Sequence, residues 1–137
     1  MQVEIVTPLG EKFSGDAVVV RACGAVGEFG VLPGHREMLT ALGTGICAVT
    51  LTPHAEPIRF VLDEGYLHVT AAGKKVTIVT EIAERREEIN VGAARAAYDS
   101  AIAELDVARE PTGSNAWKVK RHAVALARAR LDLCGAL

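Results

Sequence analysis

The order of apolar and polar positions divides the chain into a part with a two-residue period and a part with a helical period. In the first part, Val3, Ile5 and Thr7 alternate with Glu4 and Val6. Further short runs rich in valine and threonine follow at 16–23, 44–51, 57–62, 66–71 and 75–80. Short strands at such spacing, with glycine-bearing turns, are typical of a β-sandwich or barrel. No helical stretch separates the runs, so a parallel α/β sheet is not expected.

Glycines mark the turns between these predicted strands. We expect Gly65 and Gly73 to supply the positive φ that tight hairpins require. Gly24, Gly27 and Gly30 form a G-x-x-G-x-x-G run. Because no helical pattern follows this run, it favours a bend in a β layer over a phosphate-binding loop.

The last third of the chain has the three- and four-residue spacing of helices. Asn90 is placed to cap a first helix, and the run 110–115 ends it. Either Ser114 or Asn115 is placed to cap a second helix. The apolar face expected for the first helix consists of Ala94, Ala97, Tyr98, Ala101, Ile102, Leu105 and Ala108. The face expected for the second consists of Val119, Ala123, Leu126, Arg130 and Leu133. Two helices joined by a short loop form an antiparallel hairpin.

Composition changes at the same place as the period. Of the 137 residues, 1–89 contain ten of the thirteen glycines, whereas 90–137 contain thirteen of the twenty-two alanines. Eight basic and twelve acidic residues give the first part a net charge of −4, and seven against five give the second +2. The sequence therefore predicts an α+β protein: an antiparallel β-sandwich over 1–86, followed by an antiparallel two-helix hairpin over 87–137.

The facing positions of the predicted hairpin are mostly alanine. Alanine buries much less apolar area than leucine or valine, for which burial is worth roughly 1.5–3 kcal/mol. Weakly packed elements are the ones that open and close. The hairpin is therefore either a mobile element or one that simply packs on the sandwich, and the sequence leaves both alternatives open.

Several classes of function have no support in the sequence. The net charge of −2 argues against a nucleic-acid-binding protein. Three widely spaced cysteines suit a reducing compartment, and the chain has neither the basic-then-apolar start of a leader nor an apolar run long enough to cross a bilayer. Four histidines and three cysteines show no metal-binding spacing, so no metal and no cofactor are expected. No nucleophile elbow or paired catalytic acids stand out, so no catalytic residue is assigned.

The stretch Gly27–His35 places an aromatic residue, a leucine and a Pro-Gly corner close together. Apolar side chains in a loop indicate a partner surface. The alternative is a strand followed by a turn, with Phe29 and Val31 in the core. Spacing alone does not separate the two interpretations.

This stretch, followed by the segment 38–42 and by Gly45, resembles the epsilon subunit of F-type ATP synthases, bacterial or chloroplast type, homologous to the mitochondrial delta subunit. In that family a Gly-Glu-apolar-Gly-apolar-Leu/Tyr-Pro-x-His pattern precedes an apolar-Leu-Thr segment. The runs 13–15, 65–69 and 76–80 agree with the family as well. The resemblance covers roughly residues 1–90 in order, and the helical hairpin agrees in kind.

The resemblance implies a non-catalytic rotor subunit of the central stalk, which couples proton translocation to ATP synthesis. The family's sandwich binds the gamma subunit and the ring of c subunits. Thr40 corresponds to a position that faces gamma. The implied contact residues are Glu28, Phe29, Leu32, Pro33, Gly34, His35 and Thr40, in which the apolar members supply dry contacts and Glu28 and His35 the polar rim.

The family's hairpin inhibits ATP hydrolysis when it extends along gamma and touches acidic segments of the beta (and alpha) subunits. The residues implied for these contacts are Lys118, Lys120, Arg121, Arg128 and Arg130, which otherwise form a solvated helix face. Some members bind ATP through an Ile/Leu-Asp-x-x-Arg-Ala pattern. Here Gly92 replaces the aspartate and Arg95 and Ala96 are retained, so no nucleotide binding is expected.

The implied location is the cytoplasmic face of the bacterial plasma membrane, with the chain held there peripherally by its partners alone. The alternative function, from a different class, is a free-standing β-sandwich module that binds proteins and carries a helical interaction tail. An enzyme is the least supported interpretation.

Overall fold

A computed structural model describes all residues from Met1 to Leu137 and separates them into two compact units, Met1–Arg85 and Arg86–Leu137. The first unit contains only strands and short turns, and the second contains two helices. The fold class predicted from the sequence, a β-sandwich followed by a two-helix hairpin, is confirmed. The strands are β1 (Gln2–Thr7), β2 (Gly10–Asp16), β3 (Val19–Gly24), β4 (Gly27–Val31), β5 (Met38–Leu42), β6 (Gly45–Thr50), β7 (Ile58–Leu62), β8 (Gly65–Thr70), β9 (Lys75–Thr80) and β10 (Ala83–Glu84), and the helices are α1 (Val91–Asp106) and α2 (Asn115–Leu133).

The strands form one continuous sheet that is folded into two layers. One layer has the order β5-β8-β9-β1-β2, and the other has the order β10-β7-β6-β3-β4. The layers are joined where β3 meets β5, through the single pair Gly24–Leu42. All pairs are antiparallel except β1 with β9, which run parallel and which the sequence did not single out. The alternating positions of β1 and β9 that face inward, such as Val3, Ile5, Val76 and Ile78, are fully buried between the layers.

Three segments of chain pass from one layer to the other at a shared corner. They bend between β5 and β6, between β7 and β8, and between β9 and β10. Side chains link the bends there: the Thr44 hydroxyl donates to the Asp63 carboxylate at 3.0 Å, and the Thr80 hydroxyl lies within hydrogen-bond distance of the backbone oxygens of Asp63, Glu64 and Ile82, among which its one proton is shared. Strands that switch sheets through such bends are a known way to close a sandwich.

Gly65 lies at this corner for a reason other than the one expected. Its φ is not positive, so the predicted role in a left-handed turn is wrong. A Cβ atom at this position would lie 2.0 Å from the backbone oxygen of Val79. Glycine is therefore required here by the close approach of β9. Gly73, in contrast, has the expected positive φ of 82°.

Both helices begin at predicted caps, whereas α1 ends at Asp106, before the run 110–115 that was expected to end it. The Asn90 side chain accepts the Ala93 amide at 2.9 Å, and the Ser114 hydroxyl accepts the Trp117 amide at 3.3 Å, so Ser114 rather than Asn115 is the second cap. The predicted face of α1 is confirmed except for Ala97, which is exposed.

The predicted face of α2 is only partly correct: Leu126, Arg130 and Leu133 are half-buried, but the centre of the buried face lies one residue further along. Val119 is 69% exposed and Ala123 is also exposed, whereas Ala127, Leu131 and Cys134 are buried. A shift of one residue rotates a helix face by about 100°. Alanines occur on several sides of α2, so their spacing alone does not fix which side is buried.

Candidate functional site

The sequence Leu32-Pro33-Gly34-His35 forms an exposed β-turn directly after β4. The His35 amide donates to the Leu32 carbonyl at 3.1 Å, and Gly34 has a φ of 86°. Proline at the second position and glycine with positive φ at the third define a type II turn. Leu32 remains 57% exposed, so the turn presents an apolar side chain to solvent.

A second turn, at residues 71–73 between β8 and β9, supports this one. The Gly34 amide donates to the Gly73 carbonyl at 3.3 Å. Gly73 is buried, and a Cβ atom there would lie 2.4 Å from the backbone nitrogen of His35. The sequence indicated Gly73 only as a turn glycine. It did not show that two turns 39 positions apart along the chain are in contact, because both partners have the composition of ordinary hairpin turns.

The stretch Gly27–His35 is a strand followed by a turn, the second of the two alternatives. Val31 is fully buried, and Phe29 packs against the core. Glu28 is exposed on β4, opposite Cys23 of β3. The partner-binding residues expected from the resemblance therefore differ in how far their side chains are exposed to solvent. Glu28, Leu32, Pro33 and Gly34 are exposed, and Phe29 and His35 are partly buried. The His35 ring nitrogen Nδ1 lies 2.7 Å from the Arg36 carbonyl, to which it donates.

The outer face of β5, β8 and β9 carries an exposed apolar row that the sequence analysis did not identify. The register aligns Ala41 with Tyr66 and Tyr66 with Val79. Tyr66 is 58% and Val79 52% exposed, and Leu39, two residues before Ala41, is 66% exposed. We call Leu39, Ala41, Tyr66 and Val79 the outer apolar row. Apolar residues in the outward phase of a strand, such as Val79 beside the buried Ile78, are the sequence feature that marks it.

Thr40, the residue expected to face a partner, lies between two members of this row. Its side chain has the same phase along β5 as Met38 and Leu42, which pack against or belong to the core. Thr40 is half-buried, while its neighbours Leu39 and Ala41 are exposed.

The five basic residues singled out on the second helix fall into two groups. Lys118, Arg121 and Arg128 are exposed, and their spacing of three and seven residues places them on one side of α2. We call them the basic stripe. Lys120 forms an ion pair with Glu110, with Nζ 2.8 Å and 3.0 Å from the two carboxylate oxygens, and Arg130 is half-buried. The Arg121 guanidinium lies 5.4 Å from the Trp117 ring centroid.

The positions of the family's nucleotide pattern lie in the first turns of α1. Gly92 is exposed, with only the Asn90 side chain near the position that a Cβ atom would take. Arg95 donates a hydrogen bond to the Ala136 backbone carbonyl. The absence of a nucleotide site stays a prediction.

Titratable groups give no indication of a catalytic centre. Burial raises the pKa of the Cys47 thiol to about 12, so this group stays protonated at neutral pH and is not a nucleophile. The pKa of Glu110 is lowered, chiefly by the hydrogen bond from Lys120. No three or more His, Cys, Asp or Glu side chains group together as metal ligands would. Neither helix has the length and apolar character that a membrane crossing requires.

An ordered turn and an exposed apolar row on a sandwich that is followed by a helical hairpin are features that suit a protein-binding chain. Comparison with known proteins identifies the family. Residues 1–86 match the β-sandwich domain of the ATP synthase delta/epsilon chain. The chain belongs to this family, and the prediction of an accessory, non-catalytic ATP synthase chain is confirmed.

The similarity to relatives extends beyond the sandwich. The ATP synthase epsilon chain of Geobacter sp. (strain M21) is 35% identical over 135 residues, which cover 98% of this chain and 94% of the relative. That of Thermobifida fusca (strain YX) is 37% identical over 94% of this chain and 88% of the relative. That of Geotalea uraniireducens (strain Rf4) is 41% identical over 74% and 70%.

Solved structures share the fold at low sequence identity. A chain of the Euglena gracilis mitochondrial ATP synthase, in a structure of OSCP/F1/c-ring, aligns with a TM-score of 0.75 and 22% identity over 95% of this chain and 78% of that one. A chain of the Tetrahymena thermophila mitochondrial ATP synthase central stalk and c-ring aligns with a TM-score of 0.63 and 14% identity over 98% and 96%.

Proposed function

We propose that this chain is a rotor subunit of the central stalk of a proton-translocating ATP synthase, where it binds the gamma subunit and the c-subunit ring. The observation that carries the proposal is the similarity to epsilon chains over nearly the whole length of both proteins. The two structural neighbours come from assemblies that contain a c-ring. The chain associates peripherally with the cytoplasmic face of the bacterial plasma membrane through these partners.

The turn at 32–35 is the proposed contact with the c-ring. Its backbone is fixed by the type II geometry and by its packing on Gly73, so little conformational freedom is lost on binding. Leu32 and Pro33 supply apolar contact and Glu28 a polar group on the preceding strand. Torque requires a contact that does not deform, and a supported turn meets that requirement better than a mobile loop.

The outer apolar row is the proposed contact with gamma. Three of its four side chains are large, all are exposed, and they are carried on three paired strands, which is typical of the apolar centre of an interface. Thr40 lies in the inward phase of the same strand, so the exposed Leu39 and Ala41 beside it, rather than Thr40 itself, provide the proposed contact area.

A binding experiment with the purified gamma subunit tests the sandwich assignment. Leu39→Asp places a charge in the row and is expected to weaken gamma binding at least tenfold. Leu9→Asp is the matched control, because Leu9 is 98% exposed at the turn between β1 and β2 and lies outside the row. Equal binding by both variants contradicts the gamma contact, and fully coupled ATP synthesis in membranes that lack this chain contradicts the stalk function as a whole.

We further propose that the domain 87–137 restrains ATP hydrolysis when the hairpin opens and α2 reaches acidic segments of the beta and alpha subunits. The basic stripe supports this role, because three cations on one side of a helix suit an acidic surface. Lys120 and Arg130 lie on other sides of α2 and become available to a partner only after the closed hairpin has released them.

Truncation after Asn90 tests the inhibitory function. Removal of both helices is expected to raise the rate of ATP hydrolysis by the assembled enzyme while the sandwich still binds. Replacement of the basic stripe by glutamine is expected to give the same increase with the hairpin present. An unchanged rate in both variants contradicts inhibition and leaves the stalk assignment standing.

A further inference from the structure

Two arginines near the start of the helical unit bind the backbone at the carboxyl end of α2, which lies more than 40 residues further along the chain. Arg86, just before α1, donates to the Cys134 carbonyl at 3.4 Å. Arg95, in the second turn of α1, donates to the Ala136 carbonyl. Both hydrogen bonds join the start of the hairpin to its end, whereas the bond between Lys120 and Glu110 joins residues beside the connecting loop.

The backbone of residues 131–136 is shaped to present these carbonyls. Gly135 has a φ of 69°, the Ala136 amide donates to the Leu131 carbonyl at 2.9 Å, and the Gly135 amide donates to the Asp132 carbonyl at 3.0 Å. This pattern is a Schellman motif, in which a left-handed glycine reverses the chain after the last helical turn. The reversal leaves the carbonyls of Cys134 and Ala136 without amide partners from the helix, and the guanidinium groups occupy them.

Electrostatics favour the same arrangement. The carboxyl end of a helix carries a partial negative charge from its aligned peptide dipoles, and cations near it are stabilising. The last turn of α2 has one basic residue of its own, Arg130. Arg86 and Arg95 add two cations, and these come from the other side of the hairpin. Opening the hairpin separates them from the carbonyls that they bind.

We propose that Arg86, Arg95 and the carbonyls of Cys134 and Ala136 form a C-terminal latch that holds the hairpin closed. The buried face of the helices contains mostly alanine, so few large apolar contacts oppose opening. The latch therefore sets the proportion of closed hairpin. The inference rests on the proposed function only for its consequence in the assembled enzyme, since closure is a property of the isolated chain.

Hydrogen exchange of the full-length protein tests the latch without any partner. Arg95→Ala is expected to speed amide exchange in α1 and α2 about three- to fivefold, the size expected for loss of a cation at an exposed helix terminus. Amides of β8 and β9 are expected to exchange at the wild-type rate. Arg109→Ala is the matched control, because it removes the same charge from the exposed segment after α1.

A second variant tests the turn that presents the carbonyl groups of the latch. Gly135→Ala leaves both arginines in place but strains the turn that presents Ala136, and it is expected to speed exchange as Arg95→Ala does. If Arg95→Ala loses helical circular dichroism while the sandwich stays folded, this outcome also supports the latch. Exchange rates in Arg95→Ala that equal those of Arg109→Ala overturn the latch, even where Gly135→Ala exchanges faster. None of these outcomes depends on ATP hydrolysis, so failure of the latch is distinguishable from failure of the inhibitory function.

Discussion

The sandwich and the hairpin differ in the side chains that they bury. The sandwich encloses Phe60, Ile5, Leu67 and Ile78 with several valines, all fully buried. The helical unit has one fully buried large side chain, Leu131, and otherwise buries Ala94, Ala101, Ala127, Ala129 and Cys134. Because burial of a large apolar side chain contributes far more than burial of a methyl group, the sandwich has the larger reserve of stability.

The difference suits the two functions proposed for the regions. A unit that transmits torque has to keep its shape, and a dense core of branched side chains resists deformation. A unit that changes conformation requires two states of similar free energy. Helices held by caps, one ion pair and a few backbone contacts meet this condition, because each of these interactions is small.

The largest effect is expected from removal of the aromatic centre of the sandwich. Phe60 contacts Phe13 edge to face, with centroids 6.1 Å apart, and the Arg85 guanidinium lies 5.5 Å from its ring. Phe60→Ala is expected to lower the free energy of unfolding of the sandwich by about 3–5 kcal/mol, measured by chemical denaturation. Leu9→Ala serves as the exposed control. A loss below about 1 kcal/mol contradicts the core assignment.

The next largest effect is expected in the hairpin alone. Leu131→Ala removes its one fully buried large side chain and is expected to cost about 2–4 kcal/mol. Because the hairpin has few other apolar contacts, helical circular dichroism is expected to fall while the sandwich stays folded. Val119→Ala is the control, since Val119 is 69% exposed. Equal losses of stability in Leu131→Ala and Val119→Ala would contradict the buried face described here and support the face expected from the sequence.

A smaller effect distinguishes the two candidate caps of α2. Ser114→Ala removes the acceptor of the Trp117 amide and is expected to destabilise the helical unit by about 1 kcal/mol. Asn115→Ala changes the first helical residue and leaves the cap in place. Thermal melts followed at a helical wavelength measure both. A larger loss of stability in Asn115→Ala than in Ser114→Ala would identify Asn115 as the cap instead.

The smallest effect is expected from pH. The hydrogen bond from Lys120, together with backbone amides, holds the pKa of Glu110 below its ordinary value of 4.5. The carboxylate thus has a lower pKa in the folded hairpin than in the unfolded chain. Its contribution to stability is present above pH 4.5 and is lost as pH falls below that value. The Glu110 and Lys120 side chains remain 32% and 30% exposed, so solvent screens the pair and the loss is small.

Carboxyl titration by NMR measures this shift directly. Lys120→Ala is expected to return the pKa of Glu110 toward 4.5, whereas Lys118→Ala, two residues away on α2, leaves it in place. A pKa of Glu110 that does not respond to Lys120→Ala assigns the shift to the backbone amides instead.

Sequence patterns predicted most of the strands and both helices of this protein, because their periods are strong. Strand β1 has every second residue buried, as the alternation of Val3, Ile5 and Thr7 indicates. Strands β2, β5 and β10 were not predicted, and in β2 the reason is that its sequence Gly10–Asp16 lacks alternation. Strand β2 lies at the edge of its layer, where the hydrogen-bond ladder with β1 and the packing of Phe13 hold it.

The candidate site was predictable in part. Local sequence is sufficient for the Pro33-Gly34 turn, because proline fixes φ and glycine tolerates the left-handed region. Local sequence carries no information about the contact of that turn with Gly73, or about the register that aligns Tyr66 with Ala41 and Val79. Both depend on strand pairing between segments far apart in the chain.

By itself, the sequence determined the class of fold, the division near residue 86, the cap of the first helix and the family, because each of these is encoded in short-range patterns of residues. Only the tertiary structure decided which side of α2 is buried, why Gly65 must be glycine, where the outer apolar row lies and how Arg86 and Arg95 bind the end of the hairpin. The physical reason is that these features arise from close approach between distant segments, and such approach depends on packing of the whole unit.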